Sequence, residues 1–591
     1  MQRLSYAMIF LCSCFSVALT SGQTLKGRPD SHSDGPAELP RVYVQSALAD
    51  TPAHGNTVLV KTKEELTSAL DAAVCGETIK LLAGADFRGS FKLPAKNCDD
   101  SNWIILRSSA ADNELPPEGT RITPCYAGVP SLPGRPSFAC SVNRNVMSKI
   151  TFDSRGSGPI TFASGANHYR FIGLEITRDS PGTVTYNLVR TAESGTADHI
   201  VFDRVWLHGS AQDETTRGII LTGSRYVAVV DSYFSDFHCV AITGACGDSQ
   251  AIAGGIGDQP MGPYKIVNNF LEAAGENVMF GGGPAEAVPS DIEIRHNHLF
   301  KPLSWAPGSP NFSGGASGKP FIVKNLFELK NAQRVLFEGN ILENVWGGFT
   351  QVGFAILLTP KNPGKCDVCA VRDITIRYSR IKHAGAAMQI GNGLSDNGFG
   401  AHEGSHYSIH DLVFDDMKYE NCRQCNGDLF QITTAPSAPA SLWLHDIQIQ
   451  HITVATDRAR SGWAIAGPVG QQNMIFEDNI IDAGSSGHVN AGGGASQCYF
   501  GQEVMKGVLD RCWSSYRFDH NVIMNARPIH KYPQGNWPVG GGAQVGFMNW
   551  NNGVDGDYHL SPKSRYKNKA SDAKDPGADI DALSQAINGA V

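Results

Sequence analysis

The chain reads as an all-β protein built as a single right-handed parallel β-helix, and three observations predict it. The stretch Lys324 to Trp346, KNLFELKNAQRVLFEGNILENVW, holds short apolar pieces at Leu326–Leu329, Val335–Phe337 and Ile341-Leu342, separated by polar corners. No Asn-Gly or Asp-Gly turn joins them as hairpins, so they read as one coil of a solenoid. The same phrase recurs along the chain. Composition agrees, because 64 glycines and 18% charged residues suit a turn-rich β protein. A solenoid also removes the need to divide 591 residues into about four domains, since each coil buries its apolar face against its neighbours.

Met1-Gln2-Arg3 followed by a mostly apolar run to Leu19 and then Thr20-Ser21-Gly22 predicts a signal peptide over 1–22 and an exported protein. A lipidated Cys14 is the alternative, against which Cys12 stands two positions earlier. No later run is long enough to span a bilayer. Residues 23–56, rich in Pro, Ser, Asp and Gly, read as a flexible linker. Thr57–Pro94 then gives a strand, a helix capped by Thr62 and Glu65 with Leu66, Leu70 and Ala73 on one side, and a second strand from Thr78. A lone amphipathic helix there covers the open end of the first coil, so 57–150 is the cap and first coils.

From His168 onward the segments align on Asn340. Phe171, Phe202, Val229, Ile266, Ile294, Phe337, Ile376, Phe414, Ile449, Phe476 and Phe518 mark eleven coils spaced 27 to 43 residues apart. At about 4.8 Å per stacked strand these make a rod roughly 50 Å long within a β-helix over 151–560. Residues 561–591 close it. The coil length points to the three-sided, right-handed type.

Twelve cysteines beyond the leader fall into six neighbouring couples: Cys75/Cys98, Cys125/Cys140, Cys239/Cys246, Cys366/Cys369, Cys422/Cys425 and Cys498/Cys512. An even count in an exported chain favours disulfides, while the two C-x-x-C pairs also admit zinc. Net charge is −8 without a basic run, which argues against nucleic acid as partner.

The opening TKEELTSALDAAVCGETIKLLAGADFRGSFKLP, the coil phrases IVNNFLE, IRHNHLF, FEGNILE and FEDNIID, and the closing DYHLSPKSRYKNKA together resemble the pectin-lyase-like right-handed parallel β-helix superfamily. The resemblance covers nearly all of the mature chain and implies a scaffold, not a reaction, because the fold carries lyases, glycosidases, esterases and passive adhesins. Arg380-Ile381-Lys382 matches a polygalacturonase tripeptide, but Asn-Thr-Asp and Gly-His-Gly are missing and Asp415-Asp416 follows the tripeptide. The Trp-Ile-Asp-His signature of pectate lyases is missing too. No known catalytic set transfers residue by residue.

Asn269, Asn297 and Asn340 share one column and read as a buried amide ladder. The unexplained charges lie on the preceding strand. Overlaying coils puts Gln250, Asn277 and Asn325 in one column, with Ser249, Glu276 and Lys324 in the column before it. Glu276 and Lys324 then face outward on adjacent coils, with Glu328 on the same side and Asp248 and Lys330 on that of the amides. A cross-strand ion pair explains this without chemistry. A polysaccharide lyase explains it with chemistry, since removing a proton beside a uronate carboxylate needs a base and a counter-charge. The expectation is a secreted monomer that cleaves an acidic polysaccharide, with Lys324, Glu276 and Glu328 catalytic. Asp248, Glu276 and Asn277 would hold a Ca²⁺ ion. His296, His298, Trp305, Trp346 and Lys330 would contact the sugar. A glycoside hydrolase using Glu276 and Glu328, or a binding solenoid without activity, are the other readings. Loops Lys301–Lys319 and Asn344–Val352 should wall a groove over Glu276 and Lys324 if the site is real.

Overall fold

A computed structural model describes residues 32–140, 144–191, 195–240, 246–316, 318–347, 353–362, 364, 366–392, 402–421, 427–434, 438–456, 459–485, 497–498 and 504–591. The predicted leader over 1–22 and the Cys422/Cys425 couple lie outside them. The fold is the predicted parallel β-helix. In the coil at Lys324–Trp346, Phe327–Leu329, Ala332–Glu338 and Ile341–Glu343 each join a different stack of parallel strands. We call these sheets one, two and three. Sheet one contains 11 strands among the described residues.

Inward positions repeat in register from coil to coil. Phe327 lies between Val278 and Ile356, Phe337 between Ile294 and Ile376, and Leu342 between Leu299 and Ile381. All of these belong to one continuous buried core. One expected register fails. Ile376 is opposite Ile409, whereas Phe414 is opposite Ile381 in sheet three. In that coil Leu412 stands where Asn340 does, so the polar marker that sets the corner elsewhere is missing.

The corner between sheets two and three has a repeated local cause. One residue takes a left-handed conformation: Asp231, Asn268, His296, Gly339, Tyr378, Asp411, His451 and Asp478 all have positive φ. The next residue turns inward. Asn297 Oδ1 accepts from the backbone and side-chain amides of Asn269 at 2.9 and 3.0 Å, and its own amide donates to Ile266 O at 2.8 Å. Asn340 repeats this one coil on. Asn297→Leu should therefore leave two buried donors of Asn269 stranded, at about 1–3 kcal/mol each. A lowered denaturant midpoint is the expected result; an unchanged one contradicts the ladder.

The N-terminal segment differs from its compositional reading. Residues 32–56 are no loose linker, because single contacts pin them along sheet two. Asp34 pairs with Arg377 at 2.6 Å and His410 at 3.1 Å. Arg41 N–H donates to Asp291 at 2.9 Å, and buried Arg170 donates to Ser46 O and Thr51 Oγ1 at 2.9 and 2.8 Å. Val44 packs on Trp103, Val201 and Ala228. The C-terminal segment runs back similarly over the corner, with Gly577 on Asp478, Asp579 on Asp411, and Asn588 O accepting from His296 at 2.7 Å. Ala586 O would lie 2.7 Å from a Cβ at Gly339, whose φ is +65, so glycine is required there for both reasons.

The Asp34 contact makes the N-terminal strap pH-sensitive. Burial opposes ionisation of Asp34, but His410 and Arg377 outweigh it and hold the carboxyl at about 2 against an ordinary 3.8. Burial likewise lowers His410, yet its bonds to Asp34 and Asp411 raise it to about 9 from 6.5. Stability from Asp34 is present above 3.8 and lost as pH falls through about 2. That from His410 is present below 6.5 and lost as pH rises through about 9. Protection of the amides in residues 33–40, taken relative to their intrinsic exchange rate at each pH, should be greatest between 3.8 and 6.5 and fall above about 9; pH-independent protection would contradict this anchoring.

The cap helix Lys63–Ala72 forms as predicted, with Thr62 accepting from Glu65 N–H and Leu66 and Leu70 buried. Glu65 reaches Lys61 N rather than closing a full box with Thr62. Five cysteine couples form disulfides: Cys75–Cys98, Cys125–Cys140, Cys239–Cys246, Cys366–Cys369 and Cys498–Cys512. The zinc reading of Cys366/Cys369 is thereby removed. No helix among the described residues is long and apolar enough to cross a membrane.

Candidate active site

The expected charge cluster does assemble. Gln250 and Glu276 open neighbouring strands of sheet one and lie opposite each other, with Arg217 opposite Gln250 on the preceding coil. The overlay of Gln250 on Asn277 is thus one residue out of step. Lys324 Nζ lies 3.0 Å from Asp248 Oδ2 and 3.4 Å from Glu276 Oε1, and Gln250 donates to Glu276 Oε2 at 2.8 Å. Glu328 pairs with Lys330 at 2.8 Å and accepts from Asn325. Asp248 and Lys330, expected on the amide side, therefore stand with the outer charges.

Protonation changes the expected roles. Burial and the neighbouring Glu276 charge push Asp248 above the usual carboxylate range. Burial also opposes the Glu276 charge, but Lys324 and hydrogen bonds from Asp248 and Gln250 hold it below that range. Lys324 is held above the ordinary lysine range because Glu276 and Asp248 outweigh its burial. An ammonium fixed between two carboxyl groups serves as a counter-charge and not as a base. The Glu276 and Glu328 side chains are only 0% and 2% exposed, against 28% for Asp248.

Calcium does not fit the three residues proposed for it. Lys324 Nζ takes the position between Asp248 and Glu276 that a cation would need. Asn277 is turned to the inside, where it donates to Leu271 O and Phe300 O at 2.7 and 2.8 Å and accepts from Lys301 Nζ at 2.9 Å. Lys301 also donates to the carbonyls of Ala273, Ala274 and Gly275 and is fully buried, so it is a structural clamp.

Four of the five expected sugar contacts are held by protein partners, although His296 and His298 also line a cavity of about 490 Å³ with Arg121, Phe138 and Tyr233. His296 is held by Asn588 and Asn268 under the C-terminal strap. His298 is buried, packs on Phe270 and Phe300, and meets Glu343 through Nε2 at 3.1 Å. Trp305 is buried with Val240, Ala274, Phe321, Val323 and Trp346. Lys330 is committed to Glu328.

Trp346 is buried in the same cluster as Trp305 and also reaches a cavity wall. It lines a cavity of about 310 Å³ together with Leu303, Ser309, His383, Asp416, Glu420 and Asn421. The loops expected to wall a groove do so through residues 303–309 and 345–346, but over His383 rather than over Glu276; residues 348–352 of the second loop lie outside the described set. His383 Nδ1 is 2.7 Å from Asp416 Oδ2, while Nε2 is 3.9 Å from Glu343, beyond hydrogen-bond reach. A carboxylate on Nδ1 fixes the tautomer that leaves a lone pair on Nε2. Burial works against the Asp416 charge, yet His383 and Lys418 hold its carboxyl low; His298 and Lys382 do the same for Glu343. Lys382 and Arg380 stand on the same strand, paired with Asp555 and Asp415. The sequence reading set aside Arg380-Ile381-Lys382 and Asp415-Asp416 as unrelated, but parallel register places them on adjacent coils.

No known family profile and no curated protein sequence matches this chain. Among solved structures it is similar to an alginate lyase from Paenibacillus sp. str. FPU-7, at 14% identity over 74% of this chain and 99% of that one, with TM-score 0.29. The PL6 family alginate lyase AlyGC is 12% identical over 86% of this chain and 57% of its own, TM-score 0.38. A PL6 family polysaccharide lyase from Pseudopedobacter saltans is 9% identical over 81% and 95%, TM-score 0.39. Such values describe the run of coils and assign no residue.

Proposed function

We propose that this chain is an exported carbohydrate-active enzyme that cleaves an acidic polysaccharide by β-elimination in the cavity over His383. The observation that carries the reading is the His383–Asp416 pair, which lines a walled cavity with Trp346 and directly follows the strand that bears Arg380 and Lys382. In this reading Nε2 removes the proton next to the uronate carboxylate. Lys382 and Arg380 offset the charge that builds on that carboxylate. The carbon–oxygen bond to the leaving sugar breaks as the double bond forms, and the imidazolium returns its proton to the departing oxygen. Trp346, packed with Trp305, forms part of the apolar wall of the cavity. Five disulfides suit work outside the cytosol.

A second reading keeps the chemistry at Asp248, Glu276 and Lys324. It is favoured by Gln250 Oε1 and Arg217 Nε, which are buried beside Glu276 without a hydrogen-bond partner among the described residues. A screen against acidic polysaccharides, following absorbance of unsaturated products, tests both. Activity lost in Lys324→Ala but kept in His383→Ala would move the site to sheet one. New reducing ends without that absorbance would replace elimination by hydrolysis.

A further inference from the structure

At the cap end, far along the chain from the cavity, Asp100, His168 and His199 bring three ligand atoms within 4.8 Å of one another. His168 and His199 sit at equivalent positions on adjacent coils of sheet two, next to the paired residues Asn167 and Asp198. Both take left-handed backbone conformations, φ 56 and 50, which turn the side chains outward. Asp100 reaches them from the tight turn Asp99–Asn102 before Trp103.

The tautomers of both rings are set from behind. Asn167 donates its amide to Lys96 O and Gly165 O at 2.9 and 3.2 Å, which fixes its oxygen toward His168 Nδ1 at 3.0 Å. Asp198 Oδ1 lies 2.6 Å from His199 Nδ1. Each Nδ1 therefore carries a hydrogen, and each Nε2 points at Asp100 Oδ1, at 3.1 Å for His168 and 3.9 Å for His199. The rings stack at 4.4 Å with planes 3° apart, so both Nε2 atoms lie on the same side and close enough to an Asp100 oxygen to share one ion.

We propose that Asp100, His168 and His199 form a binding site for a divalent cation of the zinc class. Two imidazoles and one carboxylate suit that class, and an oxygen accepting from the Nδ1–H behind each imidazole orients its Nε2 toward the ion. Ligands about 2.0–2.1 Å from a tetrahedral ion lie roughly 3.3 Å apart, and the two Nε2–Oδ1 distances bracket that value. Trp103 packs edge-on to His168 at 4.9 Å and Tyr226 stacks on His199 at 4.5 Å, so the rings are held in place. The ion would tie the Asp100 turn to two successive coils. The cluster at His406, His445 and Asp446 is built differently: the His406 and His445 rings meet edge-on at 5.5 Å instead of stacking, and both nitrogens of His406 lie 3.4 and 3.6 Å from carboxylates.

The test is titration of the metal-free full-length protein with Co²⁺, read by its visible ligand-field bands, followed by displacement with Zn²⁺. One equivalent should bind with tetrahedral-type bands, and zinc should raise the melting temperature. Asp100→Asn and His199→Ala, both at the surface side of the site, should each weaken Co²⁺ binding at least tenfold with unchanged circular dichroism. Absence of saturable bands, or bands and affinity unaltered in the Asp100→Asn/His199→Ala double variant, would overturn the proposal.

Discussion

His383→Ala should lower turnover of a responsive acidic polysaccharide by about 10²–10⁴-fold, the range for loss of a general acid–base group. Melting should barely change, because the ring is partly exposed and its loss frees Asp416 to remain bonded to Lys418 at 2.7 Å. Asp416→Asn should give a smaller loss and shift the pH profile, since an amide in place of the carboxylate no longer selects the Nε2 lone pair. His383→Ala with unchanged turnover would remove the imidazole from the mechanism. Equal losses in kcat and stability would instead mark it as structural.

Arg135→Ala should give the largest loss of stability. Arg135 comes from the Pro- and Cys-rich insertion and docks on sheet three. It donates to both oxygens of Glu272 at 2.7 Å and to Asp236 at 2.5 Å, under Trp305. Removing it leaves two carboxylates side by side and largely buried, at a cost of about 3–5 kcal/mol. Amide exchange in residues 116–140 and in the coils of Asp236 and Glu272 should accelerate together. Protection equal to wild type would contradict the pairing. Combining Arg135→Met with Glu272→Leu should recover part of the loss, because one carboxylate, Asp236, is then left without its cation instead of two side by side.

The scaffold was legible because a left-handed corner residue recurs from coil to coil, followed in several of them by an inward amide, as at Asn269, Asn297 and Asn340. Where Leu412 replaces the amide, the reading slipped and took Phe414 for Ile409. The nearness of Lys324, Glu276 and Asp248 was legible too, since parallel register turns equal coil positions into neighbours. Protonation was not: whether Lys324 is a base or a fixed ammonium depends on burial and on two carboxyl groups at 3.0 and 3.4 Å. Nor could the sequence say over which face residues 303–309 would fold. The strap at 32–56 was missed because its anchors, Asp34 on Arg377 and Arg170 on Ser46, join residues hundreds or scores of positions apart without any periodic signal.

Digestion of a uronate-rich polysaccharide in heavy-oxygen water, with products weighed by mass spectrometry, tests the central claim most directly. Elimination predicts products one water lighter than hydrolytic fragments, with no heavy oxygen incorporated, formed by wild type and lost in His383→Ala. Products carrying one heavy oxygen, or an unsaturated product formed equally by His383→Ala, would contradict it.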